Sequence, residues 1–228
     1  MNFITMSTSS SPQSDQASSK RRSSVNLLSK TSGTFSYSEQ RTSKNLSGIS
    51  LKIKESAIEL KSFEKQWNKL HASGILILNS IRTLKIESMR CGEPELYPRG
   101  LQERCDQLQN VVDKMRSCLA TLEVLVNQLK ALVELDCMQG GNKGPIHLSW
   151  STDKFVNVNI VFLGQAYQEI CNAYTRELAL KSTVTEEVCH SPTKESLVYL
   201  ISSWTLQPYL TKKCKTMLEI IFYETDSR

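Results

Sequence analysis

The chain has 228 residues, 39% of them hydrophobic and 22% charged, which is close to ordinary globular usage, so most of it is expected to fold. Its 9 glycines and 6 prolines suit a helical protein with few loops and weigh against a turn-rich sandwich or barrel. Of the net charge of +5, +4 falls in residues 1–48 (Lys20, Arg21, Arg22, Lys30, Arg41 and Lys44 against Asp15 and Glu39). The near-neutral body therefore offers no broad footprint for a phosphate backbone, and nucleic acid is not an expected partner.

Seven cysteines, at 91, 105, 118, 137, 171, 189 and 214, contain no CxxC pair. Their odd number and dispersed spacing read as reduced thiols of the cytosol or nucleus. No run approaches the ~20 apolar residues of a membrane helix, and the start, Met1 to Ser11, lacks a leader pattern, so neither membrane insertion nor secretion is expected.

Residues 1–47 hold fifteen serines among Thr, Gln, Lys and Arg. Such a stretch cannot bury enough apolar surface to offset its ordering entropy, and a disordered Ser-rich basic tail is expected. Two phosphorylation candidates lie in it: Ser11, which precedes Pro12, and Ser24, beside the basic cluster Lys20-Arg21-Arg22. The same cluster also reads as a nuclear-import signal or simply as a solubilising run.

From Leu46 a heptad begins: Leu46, Ile49, Ile53, Ser56, Leu60, Phe63, Trp67, Leu70, Gly74, Ile77, Ile81, Leu84. Ten of these twelve are apolar, twice what composition alone provides, which predicts a coiled coil or long helical hairpin. Gly74 interrupts the seam and marks a kink, a break or a close helix crossing. A Gly/Pro connection around Cys91–Gly100 leads to a second seam. It reads Leu101, Cys105, Leu108, Val112, Met115, Leu119, Leu122, Val126, Leu129, Val133, Asp136. Leu125, Leu132 and Leu135 widen its stripe, which suits packing against more than one helix. Residues 48–137 are thus expected to form an antiparallel helical hairpin.

Gly140 to Pro145 break the pattern, and a linker over 138–148 is expected to precede a separate C-terminal helical unit, 149–228. Its first helix has N-cap candidates at Ser149–Asp153 and a stripe of Val156, Ile160, Leu163, Tyr167, Ile170, Tyr174, Leu178, Val184 and Val188. Ser191-Pro192 starts a short helix with Leu197, Leu200, Ile201 and Trp204, Pro208 closes it, and a last helix covers Lys213 to Tyr223. The fold class is therefore all-α.

No motif in the chain carries chemistry. The glycines at 140–144 are followed by Pro145-Ile146, which rules out a Walker A loop. His71, His147 and His190 are too sparse for a metalloprotease motif or a nucleophile–base pair, and Cys189-His190 has no second cluster to complete a metal site. No catalytic, cofactor or metal residue is named, and the chain is read as a non-enzyme. Two Arg-x-Leu tripeptides, Arg99-Gly100-Leu101 and Arg176-Glu177-Leu178, have the form of cyclin-docking motifs, yet both leucines are also seam residues.

The residues expected to pack or to bind partners are Trp67, Leu70, Leu122, Leu129, Trp150, Phe155, Tyr174, Arg176, Glu177, Trp204, Pro208 and Tyr209. Trp150, Phe155, Tyr174, Trp204 and Tyr209 are expected to join the third and fourth helices, each large ring burying area while keeping at most one polar group. Pro208 turns the chain so that Tyr209 packs toward Trp204, and Arg176 and Glu177 face outward.

Two blocks of residues resemble the cyclin-dependent kinase 2-interacting protein family. The first is Lys52-Ile53-Lys54, Trp67, Leu70, Gly74, Ile81 and Leu84-Lys85-Ile86. The second, more specific, is Trp150, Phe155, Tyr174, Arg176-Glu177-Leu178, Leu180-Lys181, Thr183-Val184, Glu187, Tyr199-Leu200, Trp204, Gln207-Pro208-Tyr209, Glu219 and Glu224-Thr225. The likeness spans about residues 50–225; the tail and the connection near 88–100 differ. It implies a nuclear adaptor without catalysis. The implied partners are cyclin-dependent kinase 2, a cell-division-cycle 7 type kinase and the checkpoint protein ATRIP. It also implies membership of a AAA+ ATPase assembly of spermatogenesis-associated 5 type ATPases with a second small helical subunit. That assembly acts in DNA replication, genome maintenance and large-ribosomal-subunit maturation. A different class of reading is a structural coiled-coil tether with neither ATPase nor kinase partner.

Overall fold

A computed structural model describes residues 37–90, 97–139, 147–148 and 158–225. Five helices lie among them: α1 (Tyr37–Arg90), α2 (Leu101–Gln139), α3 (Ile160–Val188), α4 (Lys194–Leu206) and α5 (Lys212–Glu224). Two-residue strands β1 (His147–Leu148) and β2 (Val158–Asn159) pair antiparallel just before α3. No helix among the described residues is long and apolar enough to cross a membrane.

The expected all-α hairpin is present, with α1 beginning at Tyr37, nine residues before the Leu46 start of the heptad. The chain reverses between α1 and α2, where Gly100 takes φ +87 and the N–H of Leu101 donates to the carbonyl of Pro98 at 3.1 Å. A left-handed residue is easy for glycine, which has no β-carbon to clash.

The inward stripe of α1 is Ile49, Ile53, Ser56, Leu60, Phe63, Trp67, Gly74, Leu78, Ile81 and Lys85, with Ala57 buried beside Ser56 and with Leu70 and His71 half-buried between Trp67 and Gly74. From Ile49 to Lys85 this is ten steps over 36 residues, the 3.6-residue period of a straight α-helix and not the 3.5 of a supercoiled seam. The strict heptad therefore loses register after Gly74. Ile77 and Leu84 are half-buried, and Leu78 and Lys85 take the inward places.

The wide stripe of α2 does what its width predicts. It packs against α1 on one side and α3 on the other. Leu122, Leu125, Leu129 and Leu132 are all buried, and only Leu135 of the widening residues is exposed. The α2–α3 contact is close at Gly164, where a β-carbon would meet Val133 Cγ2 at 3.3 Å.

Two expectations about the C-terminal half are corrected. α3 starts at Ile160, capped by the side chain of Asn159, which accepts from the N–H of Val161 at 2.8 Å; the expected cap residues, Ser149–Asp153, lie outside the described residues. The separate unit is also replaced by a shared core. A single cluster of buried side chains runs from Ile49 through α2 to Ile221, because α3 covers the second face of α2 and α4 crosses α1. The link is a break in the helices, not in the core. Thr193 and Thr211 cap α4 and α5 through their hydroxyls, satisfying N–H groups that have no partner within the helix.

Candidate functional site

Among the described residues, ring contacts, hydrogen bonds and a buried ion pair come together where α3 meets α1 and the α4–α5 turn. Tyr174 of α3 stands edge-on to two rings of α1, with centroids 4.9 Å from Phe63 and 4.9 Å from Trp67. Edge-to-face pairs of this kind contribute ~0.5–1.5 kcal/mol each beyond their burial. The indole N–H of Trp67 donates to Gln207 Oε1 at 3.0 Å. Gln207 is the C-cap of α4, in the left-handed region at φ 47, so this bond holds the strained residue that ends the helix.

One turn along α3 lies an ion pair with both side chains 0% exposed: Lys181 Nζ is 3.1 Å from Glu177 Oε1. The ammonium also hydrogen-bonds the carbonyl of Trp204 at 3.1 Å and Nδ1 of His71 at 3.2 Å. Lysine has only donors, so His71 accepts and carries its own proton on Nε2. Nζ also sits 4.3 Å from the centre of the Trp204 ring, a cation–π contact. The second carboxylate oxygen of Glu177 accepts the backbone N–H of Tyr209 at 3.2 Å, and the Trp204 indole N–H donates to the carbonyl of His71 at 3.3 Å.

Burial pushes Lys181 down to about 8, with Glu177 pulling it back up, and burial followed by the Lys181 charge pushes His71 down to about 4. A buried lysine of lowered pKa is a pattern found in catalytic bases. Here the ammonium is engaged by α1 and α4 through hydrogen bonds and by α3 through the ion pair, and neither Lys181 nor Glu177 meets solvent. The arrangement orders three helices and a turn. It presents no atom to a substrate.

Several sequence-predicted residues are relocated by this geometry. Glu177, expected to face outward, is instead the carboxylate of the buried pair; its neighbour Arg176 is exposed as expected. Tyr209 does not pack back on Trp204. The residue is 44% exposed, and its backbone is what enters the network. Tyr174 joins α3 to α1, where it was expected to join the third and fourth helices. Trp204 is fully buried, but against Gly74 of α1. Pro208 lies exposed in the turn after α4. Trp67, Leu122 and Leu129 are core residues, and Leu70 is half-buried against the same core. Leu101 and Leu178 are buried as well, so both Arg-x-Leu tripeptides are packing positions. Trp150, Phe155, Ser11 and Ser24 lie outside the described residues.

Lys181 and Lys85 were missed, although the signal was available. Each stands at an inward position of an otherwise apolar stripe, Lys181 between Leu178 and Val184 and Lys85 one turn after Ile81. Among the described residues no three His, Cys, Asp or Glu side chains come together as a metal ion would require.

The surface left for partners is narrower than the long seams suggested. On α4 the inward positions are Leu197 and Trp204, and the opposite face carries Glu195, Val198, Tyr199, Ser202, Thr205 and Leu206. Tyr199 is 72% exposed and Leu206 75%. Spaced by seven residues, they lie one above the other on a single face.

No family model matches the chain. It is similar to the cyclin-dependent kinase 2-interacting proteins of Bos taurus (27% identical), Homo sapiens (26%) and Mus musculus (25%). Each match runs over 203 residues and covers 80% of this chain and 92% of the relative. The family resemblance read from the residue blocks is thus the one these comparisons return.

Proposed function

We propose that this chain is a non-catalytic adaptor that binds cyclin-dependent kinase 2. The single observation that carries the reading is the likeness to proteins named for that interaction, which runs over 92% of their length. The fold is in keeping with it: helices locked by a buried ionic network, with Val198, Tyr199 and Leu206 left exposed on the outer face of α4. That face is where this reading places the kinase contact, because the hairpin seams are covered by the chain's own helices. The finer proposal is a nuclear subunit that links a AAA+ ATPase of the spermatogenesis-associated 5 type, and a second small helical subunit, to client proteins. A cell-division-cycle 7 type kinase and ATRIP are its further partners, and DNA replication, the damage checkpoint and large-ribosomal-subunit maturation its settings. This finer part rests on the family resemblance alone. The structural-tether alternative has less support, since a tether of this kind docks through an open seam.

The test is capture of purified cyclin-dependent kinase 2 by the full chain and by a Val198→Ser/Tyr199→Ser/Leu206→Ser variant. The expected result is kinase capture by the native chain and at least a tenfold loss in the variant, with unchanged helicity. Failure of the native chain to capture the kinase overturns the adaptor reading. Equal capture by both forms overturns the placement on α4. Recovery of the ATPase from nuclear extract tests the finer part separately.

A further inference from the structure

The second half of α2 carries a regular stripe on its solvent side as well as on its buried side. From Ser117 to Met138, every position taken at alternating steps of four and three is exposed and uncharged. Val124, Leu135 and Met138 on it are large apolar side chains left in water. That spacing is the 3.5-residue period with which one helix meets another. The next position toward the start of α2 is Lys114, and toward its end the helix stops at Gln139. The midpoint of the uncharged stretch is therefore Gln128.

We propose that this outer stripe of α2 docks the same stripe of a second copy of the chain, antiparallel, about a two-fold axis at Gln128. Such an interface must be complementary to itself, and this one is so in size, hydrogen bonding and charge. The axis sets Val124 against the second copy's Ala131, Leu135 against its Thr121 and Met138 against its Ser117, a larger side chain facing a smaller one at each level. Beside Ala131 a groove of about 400 Å³ between α1 and α2, edged by Lys52, Glu55 and Glu59, leaves room for the incoming Val124. Gln128 meets its own counterpart, and a carboxamide holds both the donor and the acceptor which that pairing needs. The hydroxyls of Ser117 and Thr121 donate to the carbonyls of Asp113 and Cys118 at 3.1 and 2.7 Å, so covering them leaves no unpaired donor. α2 has no basic residue in its last turn, and the axis brings the second copy's Lys114 to that end, where a cation is favoured by the helix dipole.

The test is sedimentation equilibrium of the full chain from low micromolar to a few hundred micromolar concentration. A reversible monomer–dimer equilibrium is expected. Val124→Glu and Ala131→Arg, both at exposed positions, each weaken the dimer about tenfold or more. The double variant recovers most of that loss, because the two positions face each other across the axis but lie two turns apart within one helix. Leu76→Glu, at an exposed position of α1, leaves the equilibrium unchanged, and circular dichroism confirms that all four variants keep their helicity. A monomer throughout the range, a dimer indifferent to Val124→Glu, or a double variant as weak as the weaker single one each overturn the proposal.

Discussion

Trp204 occupies the place where residue 74 would carry a β-carbon: a Cβ built on Gly74 overlaps Cζ2 of the indole and lies 2.7 Å from Cε2 and 3.0 Å from Nε1. Of the three meanings open to this glycine in the sequence, a kink, a break or a close crossing, the crossing is the one realised, and α1 runs through it unbroken. Gly74→Ala gains up to ~1 kcal/mol of helix propensity but displaces a fully buried ring. A net loss of about 2–3 kcal/mol is expected by chemical denaturation. Gly48, also in α1 but with nothing within 4 Å of its β-position, supplies the contrast: Gly48→Ala stabilises by about 0.5–1 kcal/mol.

The Glu177–Lys181 pair predicts a non-additive cycle. Lys181→Met leaves a buried carboxylate without its counter-charge and costs about 3–5 kcal/mol. Glu177→Gln leaves Lys181 with Trp204 O and His71 as acceptors and costs about 2–4 kcal/mol. The double variant is expected to be more stable than either single one. Urea unfolding of all four proteins measures the coupling; simple additivity would show that the pair does not act as a unit.

Acidification is expected to weaken the fold through His71. Its folded pKa, about 4, lies below the ordinary 6.5. Between those values the unfolded chain takes up a proton that the folded chain refuses. The stability His71 contributes is therefore complete above pH 6.5 and is lost as pH falls toward 4, by about 2 kcal/mol after allowance for its partial exposure. His71→Gln, which keeps an acceptor for Lys181 but does not titrate, should flatten that part of the pH–stability curve relative to the native chain. Parallel curves for the two proteins would show that His71 is not the group responsible.

At the end of α4, Gln207 combines a left-handed backbone with a side chain that accepts from Trp67. Gln207→Ala keeps the strain, loses the bond and leaves a buried indole N–H unpaired, a loss of about 1–3 kcal/mol. Gln207→Gly loses the same bond but relieves about 1 kcal/mol of strain. Thermal melts should rank the native chain above Gln207→Gly, and Gln207→Gly above Gln207→Ala.

Much of the architecture was legible before any coordinates. The apolar spacing of 46–84 and 101–136, the Gly/Pro connection between them and the extra leucines of α2 predict a hairpin that packs on a further helix, and that is what α1, α2 and α3 form. Legibility failed where burial and polarity part company. Glu177 looked like a surface charge because carboxylates are rarely buried without a partner, and Lys181, its partner one turn on, was not singled out. Tyr209 was given a packing role on the strength of its ring, when the fold uses its backbone N–H.

The division between the two kinds of information follows from range. Periodicity, capping and turn residues act over a few positions, so the sequence by itself determined that the chain is helical, roughly where the helices stop, and which stripe of each is apolar. Which stripe meets which, and in what register, depends on contacts between residues far apart in the chain. The straight 3.6-residue period of α1 moved the inward face from Ile77 and Leu84 to Leu78 and Lys85. The crossing of Trp204 over Gly74 joins positions 130 residues apart. Lys181 became an interior residue only because the Glu177 charge, His71 and the Trp204 carbonyl arrive together around its ammonium. A buried charge is stable only when all its partners are in place, and here tertiary structure supplied two of the three.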